Sequence, residues 1–524
     1  MKMRFISILL CLCSLASFLP AQVYAEETAA QNISSTKLIS SINGFYSKIA
    51  LFDGDFYVGN ITKGNASLTL EYAEGMGSLY LVFDVPYGNY TITNNHSGVS
   101  FTAGKDGFLH EYIDLIEIFG TAPTSITIDF TNGSVALYEL SVYTKGEVPA
   151  SVQKWNHPAD GQTDLVLFST HGDDEQLFFA GILPYYAGEL GYQVQVVYLT
   201  DHRAADPFRI HEMLNGLWAV GVTAYPITAN HPDFVLGHDL AGSYAKFEAL
   251  GYTREHLLGY VVENLRRFKP LVAVGHDIMG EYGHGMHMVY ADLLMEAVTV
   301  ANDPAIYPET AEKYGLWDTP KTYLHLYEEN KIVMDWDQPL KHFNGMTAFE
   351  VTQQLGFPCH KSQYRNFQWY HSYVETAKEV PLYNPCYYGL FRTTVGEDTQ
   401  KNDFFENLTT YKEQARLAEE ARIAEAAQLA EEARLQEEAR LQEEARLEEE
   451  ARLAEEARLA EEARQAEEAR RAEEEARLAE EAQLAEEAAK KRAFTISIFI
   501  TAALLVLAII LLLIRRRKAA KTPR

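Results

Sequence analysis

The pattern of apolar and polar positions changes character three times along the chain. Over residues 33–148, apolar and polar residues alternate in short runs such as Leu79-Tyr80-Leu81-Val82-Phe83 and Ser125-Ile126-Thr127-Ile128-Asp129-Phe130. Period-two runs broken by Gly, Asn and Pro predict an all-β sandwich or jelly roll, with 135–143 as its closing strand. After a linker around Gly146-Glu147-Val148-Pro149, short continuous apolar runs take over. Residues 164–169, 193–199 and 271–274 read as buried strands, while 175–186, 208–220, 254–268 and 288–298 carry a helical pattern. Strands alternating with helices predict a parallel α/β sheet covered on both faces, whose sites sit beyond the carboxyl ends of the strands.

The third pattern is a near-hexad repeat, Leu-Ala-Glu-Glu-Ala-Arg, plain from Leu453 to Arg464. Six residues at about 100° each advance roughly 240°, so the leucines visit three faces and form no continuous seam. The repeat therefore predicts a solitary charged helix of roughly 115 Å over 413–489. Arg452, placed before Glu455 and Glu456, and Glu455, placed before Arg458, supply ion pairs along it. A ligand-binding or oligomerising helix is the open alternative.

Both ends carry apolar runs. Lys2 and Arg4, an apolar stretch from Phe5 to Leu19 and Val23-Tyr24-Ala25 before Glu26 read as a cleaved secretory signal. Phe494 to Ile514 lacks any charge and, at about 31 Å as a helix, matches the thickness of a bilayer. Arg515-Arg516-Arg517-Lys518 follow it, which places the tail in the cytoplasm and the body outside the cell.

Charge sharpens this organisation. The 524 residues carry 73 Asp+Glu against 45 Lys+Arg, a net charge of -28. Residues 413–489 hold 26 Glu and 11 Arg, so 26 - 11 = 15 of those charges belong to the repeat. The remaining body is moderately acidic and lacks the basic footprint of a nucleic-acid binder. Past the signal only Cys359 and Cys386 remain, as a disulfide or as two buried thiols.

Candidate chemistry concentrates at two predicted strand ends. His171-Gly172-Asp173-Asp174-Glu175 follows the first α/β strand and offers a nitrogen ligand, an oxygen ligand and a spare carboxylate. Gly280-Glu281-Tyr282-Gly283-His284-Gly285-Met286-His287 follows the strand at 271–274, with two histidines three apart leading into a helix.

Together with Arg209-Ile210-His211-Glu212 and Gly221, these motifs resemble the LmbE-like, or PIG-L, family of zinc-dependent N-acetylglucosaminyl deacetylases over about residues 160 to 390. Gly172 stands where that family usually has proline, and Gly285-Met286 where it often has Pro-Asp. The resemblance implies a Rossmann-like α/β domain in which His171, Asp174 and His287 bind Zn²⁺. It further implies Asp173 as general base, His284 with Tyr282 as oxyanion stabilisers, and Arg209 as a substrate-orienting residue. Bland alternatives stay open at this point: Asp173 orienting His171, Tyr282 as packing, Arg209 as a helix-surface partner of Glu212, Glu175 as a first-turn acid, and His276-Asp277 as cleft lining.

The expected organisation is a signal peptide (1–25), a β-sandwich with a carbohydrate-binding role left open (26–150), a deacetylase-like domain (151–400), a charged helical stalk (401–492), a transmembrane helix (493–514) and a cytoplasmic tail (515–524). The expected activity is zinc-dependent removal of acetyl from N-acetylglucosamine-type sugars of a surface or extracellular glycan. The alternative is a non-catalytic, glycan-binding surface scaffold built on the same domain.

Overall fold

The computed structural model describes residues 29–55, 59–158, 160–200, 207–233, 238–371, 373–480 and Val506. The segments expected as signal peptide and transmembrane helix lie outside these residues, Val506 apart. Among the described residues no helix is long and apolar enough to cross a membrane. The chain divides into two compact units, Met1–Leu417 and Ala418–Arg524.

The first unit begins with a sandwich of two antiparallel sheets. Its strands are β1 (Ile39–Asn43), β2 (Asn60–Ile61), β3 (Ala66–Glu71), β4 (Ser78–Phe83), β5 (Tyr90–Asn94), β6 (Ser100–Ala103), β7 (His110–Asp114), β8 (Ser125–Phe130) and β9 (Ala136–Tyr143). One sheet runs β1-β3-β8-β5-β6 and the other β2-β9-β4-β7. Period-two alternation sends Leu79, Leu81 and Phe83 of β4 inward against Ile126, Ile128 and Phe130. The opposite face of β4 is covered as well, because Tyr80 and Val82 pack with Tyr138, Val148 and Val152. That face is therefore largely buried at β4.

The α/β half adds β10 (Leu165–Ser169), β11 (Val194–Tyr198), β12 (Ile227–Thr228), β13 (Val272–Gly275), β14 (Lys321–His325), β15 (Lys331–Val333) and β16 (Tyr387–Thr393). Helices relevant to the site are α1 (Asp174–Leu177), α2 (Arg209–Ala219), α3 (Arg254–Phe268), α4 (Gly285–Val300) and α5 (Lys361–His371). The sheet order is β12-β11-β10-β13-β14-β16-β15. Pairing is parallel from β12 to β14, but β16 runs antiparallel to both β14 and β15. The parallel sheet expected from sequence is thus mixed at one edge, where β16 returns from the opposite end of the sheet. Leu165 and Leu167 of β10 pack with Met213, Leu214 and Leu217 of α2, while Val166 and Phe168 face Val261 and Leu265 of α3 and Val289 and Leu293 of α4. Each such side chain, fully buried, contributes about 1.5–3 kcal/mol.

The chain runs from β10 outward to β12 and then restarts at β13 on the other side of β10. This reversal opens a crevice beyond the carboxyl ends of β10 and β13, where two neighbouring loops diverge. The helix expected over 175–186 is interrupted there: α1 is a single turn, and Pro184–Glu189 forms a π-helical turn. Gly181 separates them with φ 97°, its Cα so close to the Trp336 indole that any Cβ would meet the ring at 2.4 Å. Tight packing there overrides the helical periodicity. Cys359 and Cys386 are free thiols, the latter buried.

The long helix α6 (Tyr411–Glu480) spans 70 residues, about 105 Å. Leu435, Leu441, Leu447, Leu453 and Leu459 are all exposed, as a repeat without a seam requires. Along it a glutamate repeatedly pairs with the arginine three residues later, as in Glu431–Arg434 at 2.6 Å and Glu455–Arg458 at 2.7 Å. Arg452 reaches back to Glu449 at 2.6 Å rather than forward to Glu455 or Glu456, the orientation with the acid on the N-terminal side.

Candidate metal centre

The loop after β10 folds onto its own aspartate. The backbone N–H of His171 donates to Asp174 Oδ2 at 2.8 Å, and Asp173 N–H returns to His171 O at 3.0 Å. Thr170 is clamped on both sides: its N–H donates to His276 Nε2 at 3.0 Å and its carbonyl accepts from Thr200 Oγ1 at 2.8 Å. These bonds hold the loop rigid with Gly172 in place of a proline.

The loop after β13 is shaped by left-handed backbone. Gly280 has φ 66° and Tyr282 has φ 46°, an uncommon conformation for a bulky residue and one that concentrates at functional sites. The turn buries Glu281 completely and brings His284 to the N-cap of α4, where its Nδ1 accepts from Met286 N–H at 3.3 Å. His287, in the first turn of α4, donates Nδ1–H to Glu281 Oε2 at 2.7 Å, which turns its Nε2 toward the first loop.

The two loops meet in a small triangle of donors. His171 Nδ1 lies 3.1 Å from Asp174 Oδ2 and 3.2 Å from His287 Nε2, and Asp174 Oδ2 lies 3.3 Å from His287 Nε2. Three ligands on a tetrahedral ion with bonds of about 2.0–2.1 Å stand about 3.3–3.4 Å apart, so the triangle fits such an ion and leaves a fourth position open. His284 also falls within 4.8 Å of His171 and His287, as His276 does of Asp174 and His287. His276 is engaged at both nitrogens, by Glu281 Oε2 at 2.8 Å and by Thr170 N–H, so it makes a poor ligand. A two-nitrogen, one-oxygen donor set suits a divalent transition-metal ion.

Asp173 is buried beside this triangle. Arg209, the first residue of α2, is buried too and reaches Asp173 Oδ2 at 3.5 Å and Asp233 Oδ2 at 3.6 Å. Its surface pairing with Glu212 does not occur, because Glu212 accepts from the N–H and Oγ of Ser362 at 3.0 and 2.6 Å. Tyr282 is partly buried against His284 and Phe178, with ring centroids 5.4 and 5.8 Å away. The structure thus brings His171, Asp173, Asp174, Arg209, Tyr282, His284 and His287 into one cluster.

No protein-family model matches the chain. Among curated proteins it is similar to 1D-myo-inositol 2-acetamido-2-deoxy-alpha-D-glucopyranoside deacetylase 2 of Saccharopolyspora erythraea, 40% identical over 86 residues that cover 16% of this chain and 28% of the relative. The 1D-myo-inositol 2-acetamido-2-deoxy-alpha-D-glucopyranoside deacetylase of Streptomyces scabiei is 26% identical over 189 residues, covering 30% of this chain and 54% of the relative. Among solved structures it is similar to N,N'-diacetylchitobiose deacetylase from Pyrococcus horikoshii, with TM-score 0.28, 14% identity, and coverage of 43% of this chain and 83% of that one. The chain spans between 28% and 54% of the length of these two curated relatives.

Charge in the cluster is finely divided. Burial acts against ionisation of Asp174, yet His287 and His171 hold its carboxyl well below the usual range. Burial also acts against charge on His171 and His287, but Asp233 and Asp174 lift the first to about 10, and Asp174 and Glu281 lift the second to about 9. Burial raises Asp173 against the pull of the Arg209 guanidinium. His284 is pushed down to about 2 by burial and by its neighbours His171 and His287, so it is neutral. With Nδ1 accepting from the backbone, its proton sits on Nε2.

Several residues of this site are not evident from sequence. Glu281 accepts from His276 and His287 through Oε2 and from His325 Nδ1 through Oε1 at 2.7 Å. Asp233 lies 3.4 Å from His171 Nε2. His325 closes β14 and Asp233 follows β12, so the rule that singled out the ends of β10 and β13 finds both once applied to every strand. Glu175, expected as a first-turn acid, does sit in that turn but is fully buried, 3.2 Å from His360 Nε2. A cavity of about 1350 Å³ lies apart from the cluster, between Tyr80 and Tyr143 of the sandwich and Trp218 of α2.

Metal entry at this triangle must displace protons from His171 and His287, so zinc affinity should climb as pH rises from about 6 to 9, with proton release measurable by calorimetry in buffers of different ionisation enthalpy. In the same titration Glu281→Gln should weaken zinc binding by about 10–100-fold. A pH-independent affinity, or an unchanged one in the variant, would contradict this geometry.

Proposed function

We propose that the chain hydrolyses the N-acetyl group of N-acetylglucosamine-type sugars, displayed on a glycan outside the cell. The observation that carries this reading is the donor triangle with a buried, unligated carboxylate, Asp173, beside it. The names of the curated relatives, both deacetylases of an acetamido sugar, support the same class of substrate. Zn²⁺ held by His171, Asp174 and His287 would supply a Lewis acid that lowers the pKa of water and polarises the amide carbonyl.

The chain's own residues then divide the work. Asp173, its affinity for a proton raised by burial, takes the proton of the attacking water and passes it to the leaving amine. His284, neutral, donates Nε2–H to the oxygen that gains negative charge, and the Tyr282 hydroxyl, which burial keeps protonated, donates beside it. Arg209, held between Asp173 and Asp233, orients the sugar.

The 1–25 segment serves as export signal and 493–514 as a single membrane anchor with a cytoplasmic tail, the charged helix acting as spacer. Support for this comes from the apolar runs and their flanking Lys and Arg.

Acetate release from N-acetylglucosamine oligomers by the detergent-solubilised full chain tests the activity. Asp173→Asn should retain stoichiometric zinc and lose about 10²–10⁴-fold in kcat. Glycan binding without acetate release by the zinc-loaded wild type would refute the hydrolase and leave a binding scaffold. Protease added to intact cells should remove the folded body, and complete protection would overturn the outward orientation.

A further inference from the structure

The sandwich touches the α/β half through a chain of buried hydrogen bonds. His110, which opens β7, lies with Nδ1 2.6 Å from the Tyr80 hydroxyl and Nε2 2.9 Å from Nδ1 of His211. The His110 and His211 rings are 1% and 2% exposed, and the Tyr138 ring stands edge-on to His211 at 5.4 Å. Tyr80 and Tyr138 lie on the outer face of the β4 sheet, where Tyr138 meets the α/β half at His211.

His211 is two residues beyond Arg209 in α2. Residues two apart on a helix point about 200° away from each other, so a contact at His211 presses on the back of the turn whose front carries Arg209. The N-cap residue of α2, Phe208, supplies no side-chain cap. Its first turn is fixed instead by two tertiary ties, His211 to the sandwich and Glu212 to Ser362. The guanidinium is loosely held: its contacts with Asp173 and Asp233 are 3.5 and 3.6 Å, and among the described residues its buried Nε has no hydrogen-bond partner.

We propose that His110 is a positioning residue for Arg209, acting through His211, which makes the sandwich part of the apparatus that orients the substrate. The proposal rests on the deacetylase reading for the role of Arg209, but the mechanical link from His110 to α2 stands apart from it.

The test compares full-length wild type, His110→Ala, His110→Gln, Arg209→Ala and the His110→Ala/Arg209→Ala double variant on an N-acetylglucosamine oligomer, with zinc content recorded for each. His110→Ala should raise KM about tenfold with kcat within about twofold of wild type and zinc unchanged, and Gln, whose amide reaches toward His211, should recover most of the loss. Added to Arg209→Ala, the same change should have no further effect. Multiplicative losses in the double variant, or an unchanged KM, would overturn the proposal. Tyr80→Phe, which removes only the hydroxyl on His110, replaces His110→Ala if that variant does not fold, with the same expected direction. If the wild type releases no acetate, the deacetylase reading fails, and hydrogen exchange over residues 209–213 then decides: faster exchange in the His110 variant supports the link and an unchanged rate overturns it.

Discussion

The Glu281 carboxylate receives ring N–H groups from three histidines, and the arrangement of the cleft follows from that. Removed entirely from water, its charge is tolerable only because three charge-assisted hydrogen bonds meet it. The donors come from the end of β13, the first turn of α4 and the end of β14, so one group laces together two strand ends and a helix. It also sets which nitrogen of His287 carries the proton, and so leaves the other free toward His171 and Asp174.

Much of the fold was legible because its signals are local. The strands at 164–169 and 193–199 and the helix at 254–268 are bounded by clear changes of period, and they form within a residue of those bounds. The helix over 175–186 failed for a reason that periodicity cannot carry, the contact between Gly181 and Trp336, which are far apart in sequence. The antiparallel return of β16 is equally non-local. In the site, the residues read from sequence lie in two short motifs at strand ends, with Arg209 in a third at the start of α2. Glu281 stood in plain sight within the second motif, but its role depends on the left-handed turn at Tyr282, and Asp233 and His325 depend on sheet order. Of the ion pairs read from the repeat, Glu455–Arg458 forms, whereas Arg452 takes Glu449, because spacing alone does not say which of several glutamates an arginine will choose.

The same contrast separates the two units. In the repeat helix each ion pair is exposed and local, so sequence spacing accounts for nearly all of its order. In the first unit the decisive groups are buried and paired across long stretches of chain, as His110 is with His211, and order there is a property of packing. The sandwich belongs to this second kind. With β4 covered on both faces, it is built into the α/β half rather than appended to it, and the net charge of the chain says little about either.

His171, Asp174 and His287 are proposed to form a three-donor set with one open position. Anomalous diffraction at the zinc edge from crystals of the zinc-loaded protein tests it most directly. The account predicts a single peak within about 2.0–2.2 Å of His171 Nδ1, Asp174 Oδ2 and His287 Nε2, with His276 outside the coordination sphere. A peak bound through His276 or His284 in place of Asp174, or no peak in the cleft at full zinc loading, would contradict it.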